Sequence, residues 1–276
     1  MITTTPEPLE AAAASPTARS LRRFRANKTG LLALGMVCVL AVIAVTFFVL
    51  DTLGIPWPMD PDTTNLERKL LPPNPVNWLG TDNLGRDVFS RLLNGAYISL
   101  TVGFVAVSVS LSIGVTVGAV AGYFGKWVDN LIMRIVDAVM CFPTFFLILT
   151  AVALVGPSIF NIIIVIGLVS WTGTARLVRA EFLTLRESAY VQAARALGQR
   201  GPKIIFRHML PNAAAPILVT AVLGVPEAIL AEAGLSFLGF GVQPPQATWG
   251  NIIADGKTYI LDAWWLILFP GLAILI

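Results

Sequence analysis

The chain has 276 residues, of which 56% are hydrophobic and 13% charged, and its mean hydropathy is +0.77. A water-soluble domain of this length could not bury that much apolar surface in one core, so the composition excludes a soluble fold and indicates an integral membrane protein. The net charge of +3 is small, and it does not indicate a nucleic-acid partner.

The N-terminal segment, residues 1–29, is rich in Thr, Ala and Pro and predicts a mobile cytoplasmic tail. Residues 30–50 predict the first transmembrane helix, because residues 31–50 carry no charge. This apolar segment is longer than a signal-peptide core and no small-x-small cleavage site follows it, so we interpret it as an uncleaved span. Basic residues precede the span, and the positive-inside rule therefore places the N-terminus in the cytoplasm.

Residues 51–97 predict an extracytoplasmic loop, since their many prolines make the segment too irregular to cross lipid. Near its end, Asp87 and Arg91 lie four residues apart and predict an ion pair on a short interfacial helix. Two roles remain open for this helix. It receives a partner protein, or it stabilises the packing of the transmembrane helices.

Residues 98–276 predict the membrane core. Residues 92–125 are free of charge and contain the second span, and residues 138–175 are also free of charge but too long for one crossing. Gly156-Pro157 divides that segment into a third and a fourth span. A fifth span runs from residue 211 to about residue 235, and a sixth begins at residue 263 and is cut short at residue 276. We expect the native sixth helix to continue further, because this stretch covers only about two thirds of a hydrocarbon core of roughly 30 Å.

The loop charges agree with this topology. Residues 176–207 contain seven basic and two acidic side chains, whereas residues 51–97 contain four basic and six acidic ones. The positive-inside rule thus places the first segment in the cytoplasm and the second outside.

Two carboxylates lie within the fifth span. Glu227 and Glu232 are five residues apart and cannot share one helical face squarely. Charge in hydrocarbon is costly, so either residue is a candidate to line a translocation path. The alternative is that they pair with a neighbouring helix or lie near the outer interface, and the sequence favours the two interpretations equally. For Asp137, at the inner end of the third span, we expect a structural ion pair with Arg134.

Residues 187–212 form a basic segment between two apolar ones. The pattern predicts two short helices separated by Gly198, with the second beginning at Pro202. Tyr190, Ala194 and Leu197 fall at i, i+4 and i+7 and predict an apolar ridge that another subunit could bind in a groove. We call residues 187–212 the cytoplasmic island.

The only histidine, His208, lies near the end of the island. With no second His or Cys nearby in sequence, it lacks the partners that a metal site requires. We expect it to pack or to form a hydrogen bond there.

The island resembles a known motif. Gln192-Ala193-Ala194, Gly198 and Leu210-Pro211 are similar to the Glu-Ala-Ala motif of permease subunits of bacterial ATP-binding-cassette (ABC) importers, with Gln192 in place of the Glu. In that family, this loop docks on the ATPase subunits. The resemblance therefore implies that the ATPase-coupling residues here are Tyr190, Gln192, Ala193, Ala194, Arg195, Leu197, Gly198, His208, Leu210 and Pro211.

Two further stretches resemble signatures of the branch that carries dipeptides, oligopeptides and nickel. They read Trp-Leu-Gly-Thr-Asp-Asn-Leu-Gly-Arg-Asp-Val-Phe-Ser-Arg at residues 78–91 and Ala-Glu-Ala-Gly-Leu-Ser-Phe-Leu-Gly-Phe-Gly at residues 231–241. The likeness extends from about residue 26 to residue 276. Residues 250–258 end in Gly-Lys-Thr but have the wrong spacing for a phosphate-binding loop.

The resemblance implies an all-α membrane protein with the type I ABC importer permease fold and six transmembrane helices, the sixth incomplete. It further implies a permease that moves short peptides delivered by an extracytoplasmic binding protein across a bacterial inner membrane. Expected partners are a second homologous permease, two ABC ATPase subunits or domains, the binding protein and membrane lipids, without nucleic acid. The chain itself is expected to be no enzyme and to bind no metal or cofactor, with ATP and Mg²⁺ on the partner subunits.

Two alternatives remain at this stage. A permease for nickel or another small solute would have a closely similar sequence, because specificity lies largely in the binding protein. A self-contained channel or secondary transporter would instead need internal repeats or intramembrane charge pathways. We find no convincing repeat, and Glu227 and Glu232 are the only deep charges.

Overall fold

The computed structural model describes residues 27–55 and 59–275. The predicted tail, residues 1–29, lies outside this part of the chain except at its last three residues. The described residues form ten α-helices, which are α1 Lys28–Thr52, α2 Val88–Phe124, α3 Lys126–Met140, α4 Thr144–Val155, α5 Ile159–Arg186, α6 Ala189–Ala196, α7 Gly201–Ile204, α8 Ala214–Phe237, α9 Trp249–Gly256 and α10 Trp265–Leu275.

The predicted all-α membrane fold is confirmed. Among the described residues, α1, α2, α5 and α8 are each long and apolar enough to cross a membrane. The pair α3 and α4 would add a fifth span, although a bend of 79° separates the two helices. Helix α10 is apolar but shorter. Length and composition therefore identify four or five of the six predicted spans.

The third span differs from its prediction. The sequence predicts a third span within the charge-free segment that begins at residue 138, but residues 126–140 form the separate amphipathic helix α3. Gly125 has a φ of +62° and ends α2, after which α3 begins at once. Pro143 lacks an amide hydrogen and cannot continue α3, so the chain bends there before α4. The break between α4 and α5 lies at Gly156, which has a φ of +94°, as Gly156-Pro157 predicts.

The predicted short interfacial helix before residue 98 is not a separate element. Residues 88–97 are the first turns of α2, which continues unbroken for 37 residues. The predicted ion pair between Asp87 and Arg91 is also wrong. Asp87 is the N-cap of α2 and accepts hydrogen bonds from the backbone N–H and the hydroxyl of Ser90, at 2.8 and 2.7 Å. A carboxylate that caps a helix in this way faces its first turn and is not available to the arginine.

A line of glycines brings α2 and α5 together. Gly114, Gly118 and Gly122 recur every four residues and therefore lie on one face of α2. A Cβ at Gly118 would lie 2.5 Å from the carbonyl oxygen of Ala175, and one at Gly122 would lie 2.5 Å from the Cβ of Phe182. Only glycine allows such close approach, which is how helices pack tightly in lipid.

Ion pairs attach α3 to the inner half of α5. Arg179 donates two hydrogen bonds to Asp129, one of them 2.6 Å long between Nη2 and Oδ2. Asp137 pairs with Arg176 and not with Arg134 as expected. The bend at Pro143 turns α3 towards α5, and the arginines of α5 therefore reach the carboxylates that the sequence alone would pair locally.

The loop before α2, predicted to be extracytoplasmic, folds onto α9 and α10. The indole N–H of Trp265 donates to the carbonyl oxygen of Thr81 over 3.1 Å, and Trp265 packs with Val88 and Leu266 in a buried cluster. Residues 59–87 therefore form part of a folded outer unit with α9, α10 and the start of α2. The signature at residues 78–91 supplies its central residues.

Four charged groups meet inside this outer unit. Asp82 is buried and accepts from the Arg86 Nε over 2.6 Å, and its other oxygen accepts from the backbone N–H of Leu84 and Arg86. Asp255 of α9 lies 3.1 Å from Arg86 and 3.8 Å from the fully buried Arg91. Burial raises the pKa of Asp255 although both guanidinium groups oppose this shift. The neighbouring Asp82 carboxylate also raises this pKa, and together the two effects outweigh the guanidinium groups.

We expect Gly118→Leu to separate α2 from α5, since the new side chain would overlap the backbone of Ala175. Overpacking of this kind costs about 1–3 kcal/mol, and thermal unfolding in detergent measures it. Gly35→Leu is the matched control, because a Cβ there has no atom within 4 Å in the described structure. Equal unfolding temperatures for the two variants would contradict the proposed packing.

Both Asp82 and Asp255 face Arg86, but loss of Asp82 should destabilise the folded protein more than loss of Asp255. Asp82→Ala removes the acceptor of the Arg86 Nε and of two backbone N–H groups, all in a buried position, which is expected to cost about 3–5 kcal/mol although Asp255 still contacts the guanidinium. Asp255→Ala removes a half-exposed partner whose ionised form burial disfavours, and about 1 kcal/mol or less is expected. Unfolding temperatures of the two variants provide the comparison, and a larger effect at Asp255 would be inconsistent with this account.

Candidate functional site

The cytoplasmic island forms the two predicted helices. Helix α6 ends at Ala196, and Gly198 follows with a φ of +71°, a conformation that glycine adopts readily. Helix α7 begins with Pro202 in its first turn and continues into a π-helical turn, Ile205–Met209. The island joins the inner end of α5 directly to the beginning of α8.

One side of the island is anchored in a hydrophobic cluster. Val191 and Ala194 of α6, together with Ile204 and Met209 after the turn, are buried against the inner half of α5. On α5, Val178 and Phe182 complete the cluster and are themselves fully buried. The island therefore cannot move without moving the inner end of α5.

Polar contacts fix the island further. The guanidinium of Arg195 lies 5.1 Å from the ring centroid of Tyr123, near the end of α2. The predicted hydrogen bond of His208 is present, with its Nε2 at 2.9 Å from the Oε1 of Gln199. Gln192 donates to the exposed Glu187 over 3.3 Å.

The exposed side of α6 differs from the predicted ridge. Ala194 is only 4% exposed because it faces the α5 cluster together with Val191, one turn earlier. Tyr190, Ala193 and Leu197 face solvent, and Leu197 is 80% exposed. The apolar ridge therefore consists of Tyr190, Ala193 and Leu197, and helical periodicity alone could not show which side of α6 was buried.

Exposed Phe206 adds to the apolar surface of the island. Three basic side chains close to Phe206 in sequence, Arg200, Lys203 and Arg207, are exposed as well. An apolar surface of this kind with a charged border is typical of a contact site for another protein. We call Tyr190, Ala193, Leu197 and Phe206 the docking face.

A second candidate site is a cavity of about 480 Å³ between α2, α4, α5 and α8. Ser110, Ser170 and Thr220 are among the residues that line it, and Met140 closes it beside the bend between α3 and α4. Glu227 lies at its border and is exposed. Glu227 thus borders a cavity, and its role in a translocation path stays a prediction.

Glu232 has a different environment. It is fully buried, and its Oε1 accepts from the hydroxyls of Ser236 and Thr248, at 2.7 and 3.1 Å. Thr248 also caps α9 together with Asn251. A Cβ at Gly250 would lie 2.6 Å from the Cα of Ala233, so α9 packs closely on α8 beside this carboxylate. Glu232 therefore joins α8 to α9, which is the structural alternative that the sequence left open.

Comparison with known proteins provides independent information. The family model described as binding-protein-dependent transport system inner membrane component matches residues 114–276. A second model, described as the N-terminal TM domain of oligopeptide transport permease C, matches residues 15–73.

Similar sequences carry related descriptions. A dipeptide transport system permease protein of Alkalihalophilus pseudofirmus is 40% identical over 266 residues, which cover 96% of this chain and 85% of the relative. A putative peptide transport system permease protein of Brucella abortus biovar 1 is 42% identical, over 94% of this chain and 84% of the relative. A probable D,D-dipeptide transport system permease protein of Escherichia coli K12 is 39% identical, over 86% and 80%.

A solved structure of the methionine ABC transporter MetNI, in an inward-facing conformation, resembles this fold with a TM-score of 0.53. The match covers 67% of this chain and 90% of the MetNI chain, at 18% identity. At this identity the likeness concerns the fold alone, and it agrees with the predicted type I permease fold.

Neighbouring alanines of α6 should respond in opposite ways to the same substitution. Ala194→Trp forces a large ring into the α5 cluster and is expected to destabilise the chain, by about 1–3 kcal/mol or more. Ala193→Trp places the ring in solvent and should leave the unfolding temperature unchanged. Thermal unfolding of both purified variants tests the assignment, which is wrong if Ala193→Trp is the more damaging change.

Proposed function

The chain belongs to the family of inner membrane components of binding-protein-dependent transport systems, and we propose that it is the permease subunit of an ATP-driven importer of short peptides. It belongs to the dipeptide and oligopeptide branch of that family. It is a multi-pass membrane protein and a transport subunit rather than a catalytic enzyme. Relatives described as dipeptide and D,D-dipeptide permeases support peptides as the substrate.

The partners follow in part from the family, whose members work with a binding protein and with ATPase subunits. In our proposal, a second homologous permease completes the path, and two ATPase subunits or domains bind ATP and Mg²⁺ on the cytoplasmic side. The permease chain itself needs no cofactor. Its N-terminus and its island lie in the cytoplasm, in agreement with the basic residues of both segments.

The docking face is the single observation that carries the coupling proposal. It is apolar and exposed, on an island that also exposes several basic side chains and whose other side is anchored to α5. We assign ATPase coupling to the island, from Tyr190 to Pro211. An ATPase dimer can shift the permease between conformations only if it contacts this face differently in its open and closed states. The buried cluster would then transmit the movement to α5, and the chain connection would transmit it to α8.

The cavity beside α8 is our candidate for a segment of the translocation path. Glu227 borders this cavity, whereas Glu232 is engaged between α8 and α9. We therefore retain Glu227 as a path residue and assign a structural role to Glu232. Movement of α8 by the island would change the width of this cavity and give access from alternate sides.

Leu197→Arg should uncouple ATP hydrolysis from import without unfolding the subunit, because Leu197 is 80% exposed. The variant places a charge in an apolar contact, which is expected to cost the interface about 2 kcal/mol or more. Import of a labelled dipeptide into proteoliposomes containing the whole complex should fall at least about tenfold. Thr184→Arg offers a control, since it adds the same charge to an exposed position of α5 outside the docking face. Normal import by the Leu197 variant at normal abundance would exclude the docking assignment.

A further inference from the structure

The cavity beside α8 has the size and lining of a small-molecule site. Its volume of about 480 Å³ lies within the range of roughly 300–1,000 Å³ typical of ligand pockets. Hydroxyl groups supply most of its polar lining, and they belong to Ser110, Thr144, Ser170, Thr172, Thr174 and Thr220. Apolar side chains such as Ile148 and Ile166 form much of the remaining wall. A short peptide, with polar backbone groups and variable side chains, fits a lining of this kind.

Glu227 is the one charged residue that lines this cavity in the described structure. Within the described part of the chain, no hydrogen bond or ion pair reaches its carboxylate. It lies near the middle of α8, Ala214–Phe237, where an ionised side chain facing hydrocarbon is costly. An uncompensated carboxylate at this depth needs water or a cation beside it, so its side of α8 does not face lipid.

The surroundings of Glu227 define which cation it suits. The lining offers hydroxyl oxygens and one carboxylate, and no Lys, Arg or His among the described residues that surround the cavity. An ammonium group has three N–H donors and can bind the carboxylate and two hydroxyls at once. A short peptide carries such a group at its N-terminus.

We propose that Glu227 binds the N-terminal ammonium group of the peptide as it passes through the cavity, while the hydroxyl groups receive its backbone amides. This inference rests on the proposed peptide import and adds a residue and an orientation to it. Glu232 is not placed for this role, because it is fully buried and does not line the cavity, and its Oε1 accepts from Ser236 and Thr248.

Dipeptide import by the reconstituted complex tests the inference. Rates of Ala-Ala uptake are measured at saturating binding protein, so that delivery does not limit them. Glu227→Gln keeps the shape but loses the charge, and import should fall about tenfold, since the ion pair with the ammonium group is replaced by a hydrogen bond to an uncharged amide oxygen. Glu227→Asp should retain most of the rate. Glu67→Gln provides the matched control, because it makes the same change on the exposed outer loop.

A double variant that moves the carboxylate by one helical turn tests whether import depends on the charge of Glu227 or only on how its side chain packs. Leu223 lines the same cavity one turn before Glu227, so Leu223→Glu combined with Glu227→Gln should restore a large part of the import. A purely structural role of Glu227 would give no such rescue. Wild-type import rates for Glu227→Gln, with the complex intact, would overturn the inference and leave the proposed function standing.

Nickel uptake tests the alternative that the complex imports a metal cation and not a peptide. The same proteoliposomes are supplied with radiolabelled nickel ion in place of the dipeptide. Import of Ala-Ala but not of nickel is the expected result. If the wild-type complex imports nickel and no dipeptide, both the peptide function and the ammonium site are wrong.

Discussion

The close contact between α2 and α5 is the constraint on which the rest of the structure depends. Lipid offers no hydrophobic driving force for helix association, so two helices associate in it through tight packing. Gly114, Gly118 and Gly122 allow this contact over two turns of α2, at distances where any Cβ would overlap α5. The two helices therefore behave as one rigid pair across the membrane.

Each end of this pair carries a different unit. At the end predicted to lie outside, the loop before α2 packs with α9 and α10. Trp249 of α9 also binds α2: its backbone N–H donates to the Ser99 hydroxyl over 3.1 Å, and its indole N–H donates to the Leu92 carbonyl oxygen over 3.0 Å. At the inner end, α5 holds α3 through two ion pairs and the island through a buried cluster. A displacement of the island by a soluble partner therefore reaches the outer unit through a stiff connection.

Helix α8 differs from this pair in its packing. In an apolar 18-residue segment of α8, only 11% of the segment is buried, compared with 39% for the corresponding segment of α2 and 50% for that of α5. Its exposed face contains the candidate path residue Glu227 and continues directly from the island. A weakly packed helix that borders a cavity and follows the docking element is well placed to move against the α2 and α5 pair. A second permease would cover the same face.

Much of this fold could be predicted from the sequence. Charge-free segments locate the spans α1, α2 and α5, and an apolar segment with only two carboxylates locates α8, because the cost of charge in hydrocarbon is a local property of each segment. Gly156 and Gly198 mark the breaks, since each supplies a backbone conformation that other residues rarely adopt. The spacing of Gly114, Gly118 and Gly122 was also visible, and a search for small residues every four positions could have identified the α2 contact.

The remaining features depend on contacts between distant residues. Glu227 and Glu232 are equivalent candidates in sequence, and they differ because Thr248 reaches Glu232 from another helix. The buried side of α6 likewise depends on Phe182 of α5 and not on the pattern within α6. Asp137 had a local partner in Arg134, but the bend at Pro143 brings it to Arg176. Local periodicity cannot contain this information.

The most direct test of the coupling account is photo-crosslinking from the docking face in intact membranes. A photoreactive amino acid replaces Leu197, and mass spectrometry identifies every protein attached to it. The account predicts an adduct with an ATPase subunit, which is lost when the probe is moved to the buried Val191. Adducts at Leu197 with lipid or with this chain alone would contradict the claim that the island couples the permease to ATP hydrolysis.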